Sequence, residues 1–142
     1  MFSRTAGYAV QALAYLATQS PGRLTGAREI AEATRIPMPF LWKILRNLSR
    51  KKLVRSFKGV RGGYELARSA DGITIKQILQ ASNDRETLNE CVLGLGPCQE
   101  RRPCVLHSAW AEQRESMDAL FASTSLSELA RSQQPARRRK QV

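Results

Sequence analysis

The sequence predicts a mainly α-helical fold with one small β-hairpin. Three observations carry this. Leu41, Ile44, Leu45 and Leu48 follow the i, i+3, i+4, i+7 rule directly after a short turn. Leu53 to Phe57 alternates like a strand and meets a glycine-rich reversal. Helical periodicity then resumes over a long stretch from Cys104 to Phe121.

The first helix is expected over 2–19, with Tyr8, Val10, Ala12, Leu13, Leu16 and Ala17 on its apolar stripe and Pro21-Gly22 ending it. A second, short helix over about 26–33 follows, with Thr25 as its N-cap and Ile30 and Ala31 inward. The third helix opens near Pro39, since proline is tolerated in a first turn. Its buried face is Leu41, Ile44, Leu45 and Leu48; its outer face carries Met38, Trp42, Lys43, Arg46 and Arg50.

Strands are expected over Leu53–Phe57 and Tyr64–Ala67, joined through Lys58-Gly59-Val60-Arg61-Gly62-Gly63. A helix, a short turn, a helix with a basic outer face and then a basic-tipped hairpin is the organisation of a winged helix-turn-helix reader. A fourth helix spans Ile73 to Ala81, with Thr74 as cap and Ile75, Ile78 and Leu79 inward. From Ser82 to Pro103 the periodicity stops, and a loop of that length in a compact domain needs something to organise it. In the last long helix Leu106, Trp110, Gln113, Met117, Leu120 and Phe121 share a side. A short helix near Leu126 to Ala130 follows, and a polar, basic, disordered tail closes the chain.

Charge divides the 142 residues unevenly. Residues 1–68 hold 13 Lys/Arg against three acids, a net +10, whereas residues 69–142 hold 10 against nine, a net +1. The N-terminal half therefore points to a polyanionic partner. The bases do not lie opposite a broad apolar helix face, which argues against a membrane-surface protein. No signal-like or membrane-spanning stretch is visible, so a cytoplasmic protein is expected.

All three cysteines and the single histidine fall in one segment, as C-x(6)-C-x(5)-C-x(2)-H: Cys91, Cys98, Cys104 and His107. In a reducing compartment such a cluster reads as metal ligands or redox groups rather than disulfides. Three thiolates and one imidazole suit an iron–sulfur cluster or zinc. Zinc sites usually pair ligands with two to four intervening residues, and the longer Cys–Cys gaps here favour iron–sulfur. Cys104 and His107 are expected to share a face at a helix start. A structural zinc and a cluster-free thiol switch are the alternatives, both within a DNA-binding regulator. The lack of C-x-x-C and of an evident substrate pocket argues against an enzyme.

The chain resembles the Rrf2 family of bacterial winged-helix regulators over nearly all of residues 1–130. Gly7-Tyr8-Ala9-Val10, Arg28-Glu29-Ile30-Ala31, Leu41, Leu45 and Leu48, and Gly59-Val60-Arg61-Gly62-Gly63-Tyr64 carry the resemblance. The cysteine segment and Ser125-Leu126-Ser127-Glu128-Leu129-Ala130 complete it. The resemblance implies a homodimer on a palindromic double-stranded operator. Its division would be a winged domain over 1–82, a cluster-binding loop over 83–103, a dimerisation helix and short C-terminal helix over 104–131, and a tail over 132–142. It implies that Cys91, Cys98, Cys104 and His107 ligate an iron–sulfur cluster whose gain, loss or oxidation tunes DNA affinity. Redox state, nitric oxide or iron–sulfur status would be the signal, repression the output, and no small-molecule substrate is implied. The IscR-like branch, with an imidazole ligand, implies [2Fe–2S]. The NsrR-like branch holds [4Fe–4S] with an acid from the partner's first helix, where this chain has Gly7, so [2Fe–2S] is favoured.

The DNA-facing residues are then Arg28, Met38, Pro39, Trp42, Lys43, Arg46, Arg55, Lys58 and Arg61. The dimer-facing ones are Leu106, Trp110, Gln113, Met117, Leu120 and Phe121.

Overall fold

A computed structural model describes residues 2–82 and 89–133. Residues 83–88 of the expected loop and 134–142 of the expected basic tail, including Arg137, Arg138, Arg139 and Lys140, lie outside the described residues.

Helix α1 (Arg4–Ala17) is shorter than expected at both ends. Ser3 is its N-cap, its Oγ accepting the Ala6 N–H at 3.1 Å, and Thr18 closes it by donating its own N–H to the Tyr15 carbonyl. Helix α2 (Ala27–Thr34) is capped by Gly26 rather than Thr25. Thr25 is fully buried, and its backbone pairs in both directions with Tyr64: its N–H donates to the Tyr64 carbonyl at 2.9 Å, and its carbonyl accepts the Tyr64 N–H at 2.8 Å. That pairing holds Thr25 extended beside the hairpin, so Gly26 rather than Thr25 stands at the start of α2.

Arg35 ends α2 in the left-handed region at φ 58°, and buried Ile36 turns the chain into α3 (Met38–Arg50). Pro37 is the N-cap of α3 and Pro39 lies in its first turn. Leu41, Ile44, Leu45 and Leu48 are buried as predicted. Met38 packs partly against the core instead of standing wholly on the outer face.

Strands β1 (Val54–Phe57) and β2 (Gly63–Leu66) form an antiparallel hairpin with Val54 opposite Leu66 and Phe57 opposite Gly63. Two glycines are required here. A Cβ on Gly62 would collide with the Phe57 carbonyl oxygen, and one on Gly63 would stand 2.9 Å from the Thr25 backbone.

A 3-10 turn (Ala70–Gly72) leads to α4 (Ile75–Ala81), which Thr74 and Gln77 cap reciprocally. Helix α5 (His107–Ser123) packs on α4, and α6 (Leu126–Gln133) returns to α1. The helical backbone of α6 thus runs into the first residues of the expected tail. The Leu126 N–H donates to the Ile73 carbonyl at 2.7 Å, and the Ile75 N–H to the Thr124 carbonyl at 3.0 Å. Ser125 and Glu128 bracket the start of α6 in the same reciprocal way, which holds the Glu128 carboxyl below its ordinary pKa. One core results, centred on Leu13, Ile30, Ile36, Leu41, Leu45, Leu48, Ile73, Ile78 and Leu126. Leu126 joins the far end of the chain to it.

Candidate nucleic-acid interface and metal-ligand loop

Burial of one side of α3 fixes what the other side presents. Trp42, Lys43, Arg46 and Arg50 are exposed on it, with Pro39 at its first turn. The hairpin exposes Arg55, Lys58 and Arg61, and α2 exposes Arg28. Arg55 lies 3.9 Å from Glu65 across the strands, a surface pair worth little in water that leaves its guanidinium available. A helix with basic outer residues followed at once by a basic hairpin can meet phosphates along a duplex, and base edges from the helix.

The cysteine segment is more ordered than its lack of periodicity suggests. Glu90 and Pro97 bridge, the Cys91 N–H donates to the Gly96 carbonyl, and the Cys98 N–H donates to the Asn89 carbonyl, each at 2.8 Å. Gly94 and Gly96, at φ 73° and 96°, let the chain reverse between them. This small hairpin brings Cys91 back toward Cys104, with their Sγ atoms 3.6 Å apart. Cys98 Sγ lies 3.3 Å from His107 Nδ1.

Two features differ from expectation. Cys104 does not share a helical face with His107, because α5 starts at His107; Cys104 sits in the preceding turn and its carbonyl accepts the His107 N–H at 3.0 Å. The four donors also gather as two pairs rather than around one point. Among the described residues no group of three or more His, Cys, Asp or Glu side chains is placed to hold a single metal ion.

The separations within the pairs carry chemical information. Two thiolates on one tetrahedral metal at about 2.3 Å stand about 3.8 Å apart, and a thiolate and an imidazole nitrogen about 3.5 Å. The observed pairs, at 3.6 and 3.3 Å, are each about 0.2 Å closer than that. Cys91 is buried, yet its thiol is held below its ordinary pKa, chiefly by hydrogen bonding from the Leu93 backbone, then the Leu95 backbone, with a smaller contribution from Cys104. Stabilised thiolate is the form that ligates metal.

Trp110, expected on an intermolecular face, makes a contact within the chain. Its Nε1–H donates to the Glu90 carbonyl at 3.2 Å, tying α5 to the loop beside Cys91. Composition and spacing held no signal of this contact. Of the other residues on that side, Gln113 and Leu120 are exposed, Met117 is half-buried, and Leu106 is the N-cap, 40% exposed. Phe121 packs edge-on against Phe2, ring centroids 5.3 Å apart. No residue of the 17-residue α5 is buried. Of its large apolar side chains, Leu120 is exposed, as are Val105 and Leu106 just ahead of the helix.

The sequence pattern of a protein family described as "Rrf2: Iron-dependent Transcriptional regulator" matches residues 2–132. A chain of Aquifex aeolicus (strain VF5), named for HTH-type transcriptional regulation, is 39% identical over 131 residues, covering 91% of this chain and 90% of that one. The HTH-type transcriptional regulator IscR of Klebsiella pneumoniae (strain 342) is 28% identical over 127 residues, covering 89% and 77%. Among solved structures, CymR, the global cysteine regulator of B. subtilis, superposes with a TM-score of 0.80 at 22% identity, over 94% of this chain and 98% of that one. IscR of T. potens superposes with a TM-score of 0.75 at 24% identity, over 96% and 90%. At these identities the two structures share the fold.

Proposed function

The chain belongs to the Rrf2 family of iron-dependent transcriptional regulators, and from that premise we propose that an iron–sulfur cluster governs its grip on DNA. The winged helix-turn-helix fold and the relatives named as transcriptional regulators support DNA-binding regulation rather than catalysis. The finer reading rests on one observation: the donors form two pairs, Cys91 with Cys104 at 3.6 Å and Cys98 with His107 at 3.3 Å. Two irons with two protein ligands each need that arrangement, which favours [2Fe–2S] over [4Fe–4S] and over a single zinc.

In this reading Cys91, Cys98 and Cys104 supply thiolates and His107 supplies a neutral imidazole through Nδ1. A bound cluster supplies a redox-active, oxidant- and nitric-oxide-sensitive group. The protein's own part is mechanical. The ligands tie the loop to the start of α5. Helix α5 rests on α4, helped by Lys76 Nζ on Asp118 at 2.7 Å, and α6 returns to α1. A change at the ligands is thereby passed to the helices that support α3. Lys43, Arg46, Arg55, Lys58, Arg61 and Arg28 meet DNA, with Pro39 and the exposed edge of Met38 at the entrance of α3. Two copies joined along α5, through Leu106, Trp110, Gln113, Met117, Leu120 and Phe121, would set two readers on a palindromic operator, with repression as the output. No described helix is long and apolar enough to cross a membrane, and we place the protein in the cytoplasm.

The test is an anaerobic absorption spectrum of the as-isolated protein with iron and sulfide counts. Visible bands with two irons and two sulfides per chain support the reading; a colourless protein with one zinc overturns it. A second reading, a cluster-free thiol switch, is favoured by the closeness of Cys91 and Cys104. Peroxide would oxidise the two thiols to one disulfide while being reduced to two waters.

A further inference from the structure

We infer that Trp42 is a specificity-determining residue that reads the C5-methyl group of a thymine in the major groove. The inference rests on the DNA-binding reading of α3 and deepens it.

Every leucine and isoleucine of α3 is buried, yet Trp42 on its outer face is 55% exposed. It does not belong to the core cluster or to the residues packed against it. Its indole N–H makes no hydrogen bond among the described residues. The other exposed aromatic of α3, Phe40, leans on α1, its ring 6.3 Å from that of Tyr8. Trp42 has no such ring partner among the described residues. A large apolar side chain held toward water beside Lys43 and one turn before Arg46 is placed for contact with something outside the chain.

The neighbouring cations narrow what that is. Lys43 and Arg46 carry donors only, so they read acceptors. Guanine offers two acceptors that such a cation can grip, whereas thymine offers one, so the cations favour guanine and do not by themselves pick out a thymine. The thymine methyl is the one apolar group on that surface. An indole on the same helix face adds what the cations lack. Removing one methyl from such a contact should weaken binding about fourfold.

The experiment uses the full chain. A duplex is selected from a random library with the wild-type protein, and each thymidine of the selected site is then replaced singly by deoxyuridine, which deletes only the methyl. Wild type should lose about fourfold at one thymine in each half-site, and Trp42→Ala should lose nothing there. Trp42→Gln, which retains helix-forming tendency and a polar outer face, should behave as Trp42→Ala does and serves if the alanine variant folds poorly. Wild type indifferent to every deoxyuridine, or variants keeping the wild-type loss, would overturn the assignment. If Lys43→Ala and Arg46→Ala still weaken binding in that case, the DNA-reading role of α3 stands and only Trp42 is reassigned. Enrichment of no duplex at all defeats both.

Discussion

Cys91 and Cys104 stand 13 residues apart in the chain and 3.6 Å apart at their sulfurs. Cys98 has His107, not a thiol, as its neighbour. Metal-free protein treated with peroxide should therefore form one intramolecular disulfide, between Cys91 and Cys104, leaving Cys98 free. Peptide mapping by mass spectrometry should find the 91–104 linkage with the loss of two hydrogens, and Cys104→Ser should abolish it. Predominant linkage through Cys98 would show that the loop is arranged otherwise.

The bond from Trp110 to the Glu90 carbonyl anchors α5 to the cysteine loop, alongside the contact of Cys98 with His107. Trp110→Phe keeps an aromatic ring and removes the donor. The loss should be about 0.5–1.5 kcal/mol, felt locally. Hydrogen exchange should speed up at Cys91 and Cys98, whose amides close the small hairpin, while the amides of α3 stay as protected as in wild type.

Phosphate contacts give DNA affinity a steep dependence on salt. Lys43→Ala, Arg46→Ala and Lys58→Ala, each at an exposed position, should lower affinity. Those that lose a phosphate contact should reduce the slope of log K against log salt by about one. Glu112→Gln, on an exposed part of α5, should leave the slope unchanged. Binding titrations at several salt concentrations measure both.

Leu126 is the buried residue through which the C-terminal helix joins the core of the winged domain. Leu126→Ala should destabilise the protein by about 2–5 kcal/mol. Because Leu126 lies in the single core and α6 packs on the 3-10 turn and on α1, the loss should appear in the denaturation midpoint of the whole chain. A separate early transition confined to α5 and α6 would contradict that coupling.

Much of this was legible in the sequence where one rule governs. The buried face of α3 followed from 3.6-residue periodicity, and the Thr74 cap from a threonine ahead of an apolar turn. The hairpin followed from alternation and glycine, within one residue at each strand. Where a tertiary partner decides, the sequence was mute. Thr25 has the chemistry of a cap, but pairing with Tyr64 claims its backbone. Cys104 has helical spacing to His107, but α5 begins three residues later than expected. Met38 has the spacing of an outer-face residue, but it packs partly on the core. The cysteine segment has no period at all; its order comes from backbone bonds around two glycines and from the indole of Trp110, contacts that span the loop. The clustering of Cys91, Cys98, Cys104 and His107 in one segment was plain in the sequence, but their division into two pairs was not.

The central claim is that two donor pairs hold two irons and that their occupancy sets the grip on DNA. The most direct measurement is anaerobic titration of a selected duplex with the as-isolated protein and with Cys98→Ala, alongside iron and sulfide counts on both. The account predicts two irons and two sulfides per wild-type chain, no visible bands in Cys98→Ala, and a changed DNA affinity in that variant. An iron-free, colourless wild-type protein that binds the duplex as Cys98→Ala does would contradict it.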